Sequence, residues 1–176
     1  EEVWDYNIAL AKEAFRLGFD EVQFDYIRYP ALGDNVSIHS KKDLNKNDVI
    51  NKFVKKVYKE LDSYKNSVSI DVFGLTTSLS NGMGIGQDFV KLSKSASIIS
   101  PMVYPSHYYP GVFDLEIPEK KPYETVSKSM KDALFKSKNP DLVLRPWLQD
   151  FTVNYKYNAE EVISQIKEGE DLDIKE

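Results

Sequence analysis

Two aspartates in strand-like runs are the residues of this sequence best suited to catalysis. Asp25 lies in the run 21–27, and Asp71 lies in the run 68–74. Both runs are rich in β-branched and aromatic residues, which is typical of strands. Two carboxyl groups on neighbouring strands can hydrolyse a glycosidic bond, because one donates a proton while the other acts as a nucleophile or as a base on water.

The period-two pattern of a strand predicts where these acids point. Gln23 and Asp25 share one face of the first run, and Ser69 and Asp71 share one face of the second. In a barrel the apolar side chains meet the helices, so both acids face inward. Burial of a carboxylate is costly unless the group is paired, hydrogen-bonded or functional. Pairing with Arg28 or with a backbone amide is the structural alternative for each acid.

Aromatic and polar residues lie at the end of a third strand-like run, at about residues 97–104, and just after it. Tyr104, His107 and Tyr108 lie there, and such rings can stack on sugar faces while they hydrogen-bond hydroxyl groups. A packed aromatic corner is the alternative for Tyr108. His107 is the only histidine in this region, and one ligand is too few for a metal site. We therefore predict no metal ion and no cofactor.

A fourth strand-like run, at about residues 142–148, also ends with polar and aromatic residues. Arg145, Trp147 and Gln149 alternate onto one face, where Trp147 can form a platform for a sugar ring. Asp150 follows as a third candidate acid. Arg145 can contact the substrate or pair with an inward aspartate, and the spacing leaves both alternatives open.

The elements that position these residues alternate between helical and strand periodicity. Helices are predicted over about 4–15, 48–64, 88–94, 123–137 and 159–168, and strands over about 21–27, 68–74, 97–104 and 142–148. This order predicts an α/β fold with a parallel sheet. Long polar loops, such as 31–47, follow strands, which favours a (β/α)8 TIM-type barrel present in part with four strands. No glycine-rich phosphate loop follows the first strand, so a doubly wound nucleotide-binding sheet is disfavoured.

Composition argues against several other classes of protein. The chain has 176 residues, 41% of them hydrophobic, which suits one folded domain. A net charge of −5 with dispersed lysines argues against a nucleic-acid partner. The absence of cysteine excludes a disulfide scaffold and a thiol nucleophile. No apolar stretch approaches the roughly 18 residues of a membrane span.

Four longer motifs resemble the bacterial putative glycosyl hydrolase domain family. They are residues 18–30 (GFDEVQFDYIRYP), 71–74 (DVFG), 101–108 (PMVYPSHY) and 145–151 (RPWLQDF). The resemblance covers nearly the whole chain and implies that residues 1–176 are the carboxyl-terminal half of a barrel, with strands four to seven. It also implies a polysaccharide or cell-envelope glycan as substrate and an extracellular or cell-envelope location.

A fainter similarity connects the chain to chitinase-type hydrolases. Their fourth strand reads DxxDxDxE, and Asp20 and Asp25 match it. Gln23 replaces the middle acid, and Ile27 stands where the catalytic glutamate is expected. A mechanism that depends on that glutamate is therefore not implied.

The leading hypothesis is a glycoside hydrolase that uses Asp25 and Asp71. Asp25 is the expected nucleophile or base, because Arg28 can keep it ionised, and Asp71 is the expected acid. The two roles are exchangeable, and Asp150 can replace either residue. Predicted sugar contacts come from Gln23, Arg28, Tyr104, His107, Tyr108, Arg145, Trp147 and Gln149. The alternatives are a non-catalytic carbohydrate-binding barrel and an inactive fragment that self-associates through open sheet edges.

Overall fold

Four parallel strands form one sheet in the computed structural model of this protein, which describes residues 1–31, 44–137 and 139–174. Most of the predicted polar loop over 31–47 lies outside the described residues. The strands pair in the order β1-β2-β3-β4, and every pair is parallel. The predicted α/β fold with a parallel sheet and flanking helices is confirmed, and the arrangement is that of a partial (β/α)8 barrel.

Helices and strands alternate along the described chain. Their bounds are α1 Glu2–Arg16, β1 Val22–Phe24, α2 Lys46–Glu60, β2 Val68–Phe73, α3 Phe89–Ser93, β3 Ile98–Met102, α4 Pro122–Lys136, β4 Val143–Leu144 and α5 Ala159–Asp171. Short 3₁₀ turns occupy several of the loops that follow the strands. The long loops thus lie at the carboxyl ends of the strands, where barrel enzymes place their active sites.

The outer face of the sheet carries the hydrophobic core. Val68, Ile70 and Val72 of β2 are at most 1% exposed and pack in one cluster with apolar side chains of the helices. The opposite face of β2 carries Ser69 and Asp71, which are also buried. The alternation predicted from the sequence therefore separates an apolar outer layer from a polar inner face.

All four strands are shorter than the sequence predicts, and β1 and β4 differ most. β1 ends at Phe24 instead of about residue 27, and Tyr26 adopts a φ of 59°, in the left-handed region. β4 covers only Val143–Leu144, and one further bridge joins Met102 to Trp147. Pro146 lies between them and has no N–H to donate to the ladder. Asp25 consequently lies just beyond β1.

Gly74 allows the ends of β2 and β3 to approach closely. A Cβ atom at this position would overlap the carbonyl oxygen of Met102 and the hydroxyl of Tyr108. Any larger residue would push these loops apart. The small residue therefore keeps the loop after β2 against the loop after β3, on the side of the sheet where Asp71 lies.

Apolar side chains remain exposed on the outer helices of the sheet. Val3, Tyr6 and Leu10 are each more than half exposed on α1, and Ile163 and Ile166 are exposed on α5. Self-association through these regions or through the sheet edges stays a prediction. In the described part of the chain, no helix combines the length and apolar character needed to cross a membrane.

Candidate active site

Asp25 and Asp71 lie close enough at the carboxyl end of the sheet for the charge of Asp25 to raise the pKa of Asp71. Asp71 belongs to β2, where it is paired in register with Ser100 of β3 and is 5% exposed. Asp25 is exposed, and its Oδ1 accepts a hydrogen bond of 2.5 Å from the backbone N–H of Tyr26. The structure thus brings together the two acids that the sequence placed on neighbouring strands.

The environment of Asp71 favours its protonated form. Its pKa is raised to about 6, mainly because burial penalises the charged carboxylate. The indole N–H of Trp147 donates to Asp71 Oδ1 at 3.1 Å and opposes this rise, whereas the charge of Asp25 and a hydrogen bond with it add to the rise. Asp71 therefore holds a proton at mildly acidic pH, as a proton donor must.

Replacement of Trp147 by phenylalanine should raise the pKa of Asp71 further. The variant keeps an aromatic ring but removes the N–H that stabilises the carboxylate. One hydrogen bond of about 1 kcal/mol corresponds to somewhat under one pKa unit. The measurement is a ¹³C NMR titration of the Asp71 carboxyl in wild type and in Trp147→Phe. An unchanged midpoint would show that the 3.1 Å contact does not act on Asp71 in solution.

Arg145 forms an ion pair with Glu21 on the inner face of the sheet. Its guanidinium donates to both carboxylate oxygens of Glu21, and the Nη1–Oε2 distance is 2.9 Å. Ser69 Oγ also donates to Glu21 Oε1, at 2.7 Å. The hydrogen bond from Arg145 keeps the pKa of Glu21 below its ordinary value. Arg145 thus pairs with a glutamate rather than an aspartate, and its charge also lowers the pKa of Asp71.

Arg28 does not pair with Asp25 in the described residues. Its guanidinium lies 4.2 Å from the ring centroid of Tyr26, donates to the Tyr26 hydroxyl at 2.7 Å, and donates to the carbonyl of Tyr29 at 3.1 Å. The expected ion pair between Arg28 and Asp25 is therefore replaced by contacts with aromatic neighbours. The backbone of Tyr26 supplies the hydrogen bond to Asp25 instead.

Tyr104 lies among all three candidate acids. Its side chain is half-buried, and its pKa is raised by burial and then by the charges of Asp71, Asp25 and Asp150. Asp150 is exposed at the end of the segment that follows β4. The phenol of Tyr104 consequently stays protonated at neutral pH and can donate a hydrogen bond to a ligand beside the acid pair.

His107 belongs to an aromatic cluster next to Tyr104. Its ring stacks on Phe73, with the centroids 6.0 Å apart, and meets the edges of Tyr104 at 5.3 Å and Phe151 at 6.2 Å. Desolvation lowers the pKa of His107, and the negative charge of Glu119 partly offsets this. The imidazole is therefore neutral near pH 7 and can both donate and accept hydrogen bonds.

The other residues that were predicted to contact a sugar differ in how deeply they are buried. Gln149 is fully buried; its Oε1 accepts from the N–H of Ser106 at 2.9 Å, so it holds the loop after β3 in place. Tyr108 is 5% exposed and accepts a hydrogen bond from Ser129. Gln23 donates to Ser100 Oγ at 3.1 Å. Trp147 is 47% exposed and offers the ring surface expected of a platform.

Two acids near the site escaped the sequence analysis. Glu21 continues the alternation of Gln23 and Asp25 by one step, so the period-two pattern could have placed it on the inward face. Glu119 lies in a 3₁₀ turn, Pro118–Lys120, that no periodic pattern marks. Within residues 1–31, 44–137 and 139–174, no three His, Asp or Glu side chains are grouped so as to hold a metal ion.

Comparison with known proteins gives a family but no individual relative. A family model described as a putative glycosyl hydrolase domain matches residues 1–176. No curated protein and no solved structure matches the chain. The similarity to chitinase-type hydrolases stays a prediction.

Proposed function

Because this chain belongs to the putative glycosyl hydrolase domain family, we propose that Asp25 and Asp71 hydrolyse a glycosidic bond in a polysaccharide or cell-envelope glycan. The observation that carries this proposal is the proximity of an exposed and a buried carboxyl group at the carboxyl end of a parallel sheet. The buried member has a pKa of about 6. Two carboxyl groups with different environments are the means by which glycosidases divide acid and base roles.

Asp71 is the proton donor in this proposal. Its carboxyl transfers a proton to the glycosidic oxygen while the bond from that oxygen to the anomeric carbon breaks. The carboxylate of Asp25 either attacks the anomeric carbon or takes a proton from the water that does so. Asp71 is left ionised and regains its proton when water completes the reaction or when solvent reprotonates it.

The separation of the two carboxyl groups determines which glycosidase mechanism the pair can support. Carboxyl groups are about 5–5.5 Å apart in retaining glycosidases and about 6.5–9.5 Å apart in inverting ones. Asp71 is held in β2 and by Trp147. Asp25 lies beyond β1 and is exposed, so its side chain has more freedom than that of Asp71 to adjust to a bound substrate.

The same proximity supports a second candidate, a carbohydrate-binding barrel without catalysis. Asp25 and Asp71 would then only accept hydrogen bonds from sugar hydroxyls. The exposed ring of Trp147 serves either function as a stacking surface. An extracellular or cell-envelope location suits both candidates and rests on the family resemblance alone.

A polysaccharide panel tests the proposed function. The protein, the double variant Asp25→Asn/Asp71→Asn and the control Asp62→Asn, which removes an exposed carboxylate after α2, are incubated with each polysaccharide. New reducing ends are then measured. Release by wild type and the control, but not by the double variant, is the expected result. Binding of a polysaccharide by wild type without any release supports the binding barrel and overturns the catalytic proposal.

A further inference from the structure

A cleft of about 480 Å³ opens at the carboxyl end of β2 and the loop that follows β3. Phe73, His107 and Tyr109 supply aromatic surface, and Glu119 and Asn154 supply polar groups to its lining. This volume lies within the range of about 300–1,000 Å³ that is typical of ligand sites. Aromatic faces combined with a few polar groups suit a sugar ring, which has both apolar faces and hydroxyl edges.

The cleft is one side chain away from the acids. Phe73 and Asp71 are two residues apart in β2, so their side chains share a face of the sheet. The ring of Tyr104 contacts that of His107 with 5.3 Å between centroids. The acids in turn raise the pKa of Tyr104. A glycan bound across Tyr104 would therefore place one unit at the acids and a neighbouring unit in the cleft.

Glu119 is the charged group of the cleft. Its side chain is 5% exposed, and Oε1 accepts a hydrogen bond of 3.1 Å from the backbone N–H of Asn154. In the described part of the chain, Oε2 of Glu119 accepts no hydrogen bond from another residue. An ionised carboxylate only accepts hydrogen bonds. Its open oxygen is therefore suited to a hydroxyl or an ammonium group of a ligand.

The charge around the cleft selects against anions. Asp25 and Asp150 lie near Tyr104 and add their negative charge to that of Glu119. The lowered pKa leaves His107 neutral near pH 7. On the inner face of the sheet, the guanidinium of Arg145 is paired with Glu21. A carboxylated or sulfated sugar unit would face the like charges of these acids, whereas the ammonium group of the adjacent Lys120 lies over the ring of Tyr155.

We propose that this cleft is a subsite for a neutral or amine-bearing sugar unit next to the cleaved bond, and that Glu119 excludes uronic acids from it. The inference rests on the proposed function, since it concerns the glycan on which Asp25 and Asp71 act. Glu119 is a specificity residue and takes no part in the proton transfers.

The test compares three β-1,4-linked tetrasaccharides that differ in charge. They are cellotetraose, its 2-amino counterpart chitosan tetraose, and its 6-carboxyl counterpart, glucuronan tetraose. Binding to the protein is measured by titration calorimetry at pH 7. Wild type should bind the amine-bearing ligand at least as tightly as the neutral one, and the uronic acid at least about tenfold more weakly. Glu119→Gln should reduce this discrimination about tenfold.

Glu119→Gln preserves the fold because its amide oxygen can still accept from Asn154. Glu116→Gln is the matched control, since it removes an exposed carboxylate from the same loop outside the cleft lining. Unchanged discrimination in Glu119→Gln, an equal change in the control, or absence of binding to all three ligands would overturn the subsite. Charge-dependent binding without hydrolysis would leave the subsite standing and remove the catalytic proposal, so the two failures are distinguishable.

Discussion

The variant Asp71→Asn is expected to lose turnover by about 10²–10⁴-fold, the usual contribution of a general acid or base. Asparagine has nearly the shape of aspartate and can still accept the hydrogen bond from the Trp147 indole. It cannot donate a proton to a leaving oxygen. Loss of turnover with retained sugar binding would therefore separate the chemical role of Asp71 from its role in the structure.

The same variant should be more stable than wild type above about pH 6. The pKa of Asp71 is raised from 3.8 to about 6 in the folded protein, so folding favours the protonated form. The protonated form of Asp71 therefore stabilises folded wild type in full below about pH 3.8. This stabilisation is lost as the pH rises toward 6. A shift of this size corresponds to roughly 3 kcal/mol, since one pKa unit is about 1.4 kcal/mol.

Two measurements on Asp71→Asn test the predicted loss of turnover and the predicted change in stability. One is kcat/KM on a polysaccharide that wild type hydrolyses. The other is the free energy of unfolding between pH 4 and pH 8, with Asp62→Asn as control. Wild type should lose stability relative to Asp71→Asn between pH 4 and 6, and its kcat/KM should fall above about pH 6. Parallel stability curves, or near-normal turnover in the variant, would contradict the assignment of Asp71 as a buried acid.

The variant Asp25→Asn should lower turnover by at least about 10²-fold, because an amide is a poor nucleophile and a poor base. It should also lower the pKa of Asp71, since the charge of Asp25 and the hydrogen bond between the two carboxyls both raise that pKa. The measurements are kcat/KM and a ¹³C NMR titration of the Asp71 carboxyl. The direction of this pKa shift is opposite to that expected for Trp147→Phe.

Addition of a small external anion sharpens the test on Asp25. Azide or formate can occupy the space of a missing carboxylate, so partial recovery of turnover in Asp25→Asn indicates a nucleophile or base. The same anions should not rescue Asp71→Asn, because they cannot replace a proton donor. Recovery in both variants, or an Asp71 midpoint that does not move in Asp25→Asn, would argue against the division of roles proposed here.

Burial connects the proposed catalytic role of Asp71 to its cost in stability. The interior position that makes Asp71 a proton donor near pH 6 also penalises its ionised form. A side chain selected for stability alone at neutral pH would not carry this group. This is the usual trade-off between stability and activity at a catalytic site.

The sequence alone determined the order of helices and strands and the inward face of β2. Both follow from local periodicity, because a helix and a strand repeat their side-chain directions every 3.6 and 2 residues. The position of Asp71 on the polar face was therefore predictable from Ile70 and Val72. The long motifs were sufficient to indicate the family that the comparison then confirmed.

Only the tertiary structure decided which groups meet. Arg145 pairs with Glu21, which is 124 residues away in the chain, and Arg28 contacts aromatic rings instead of Asp25. Glu119 reaches the cleft through a turn without a periodic pattern. Such contacts depend on strand register and on how the loops pack. Spacing along the chain specifies the direction of a side chain, but the partner that it finds depends on the whole fold.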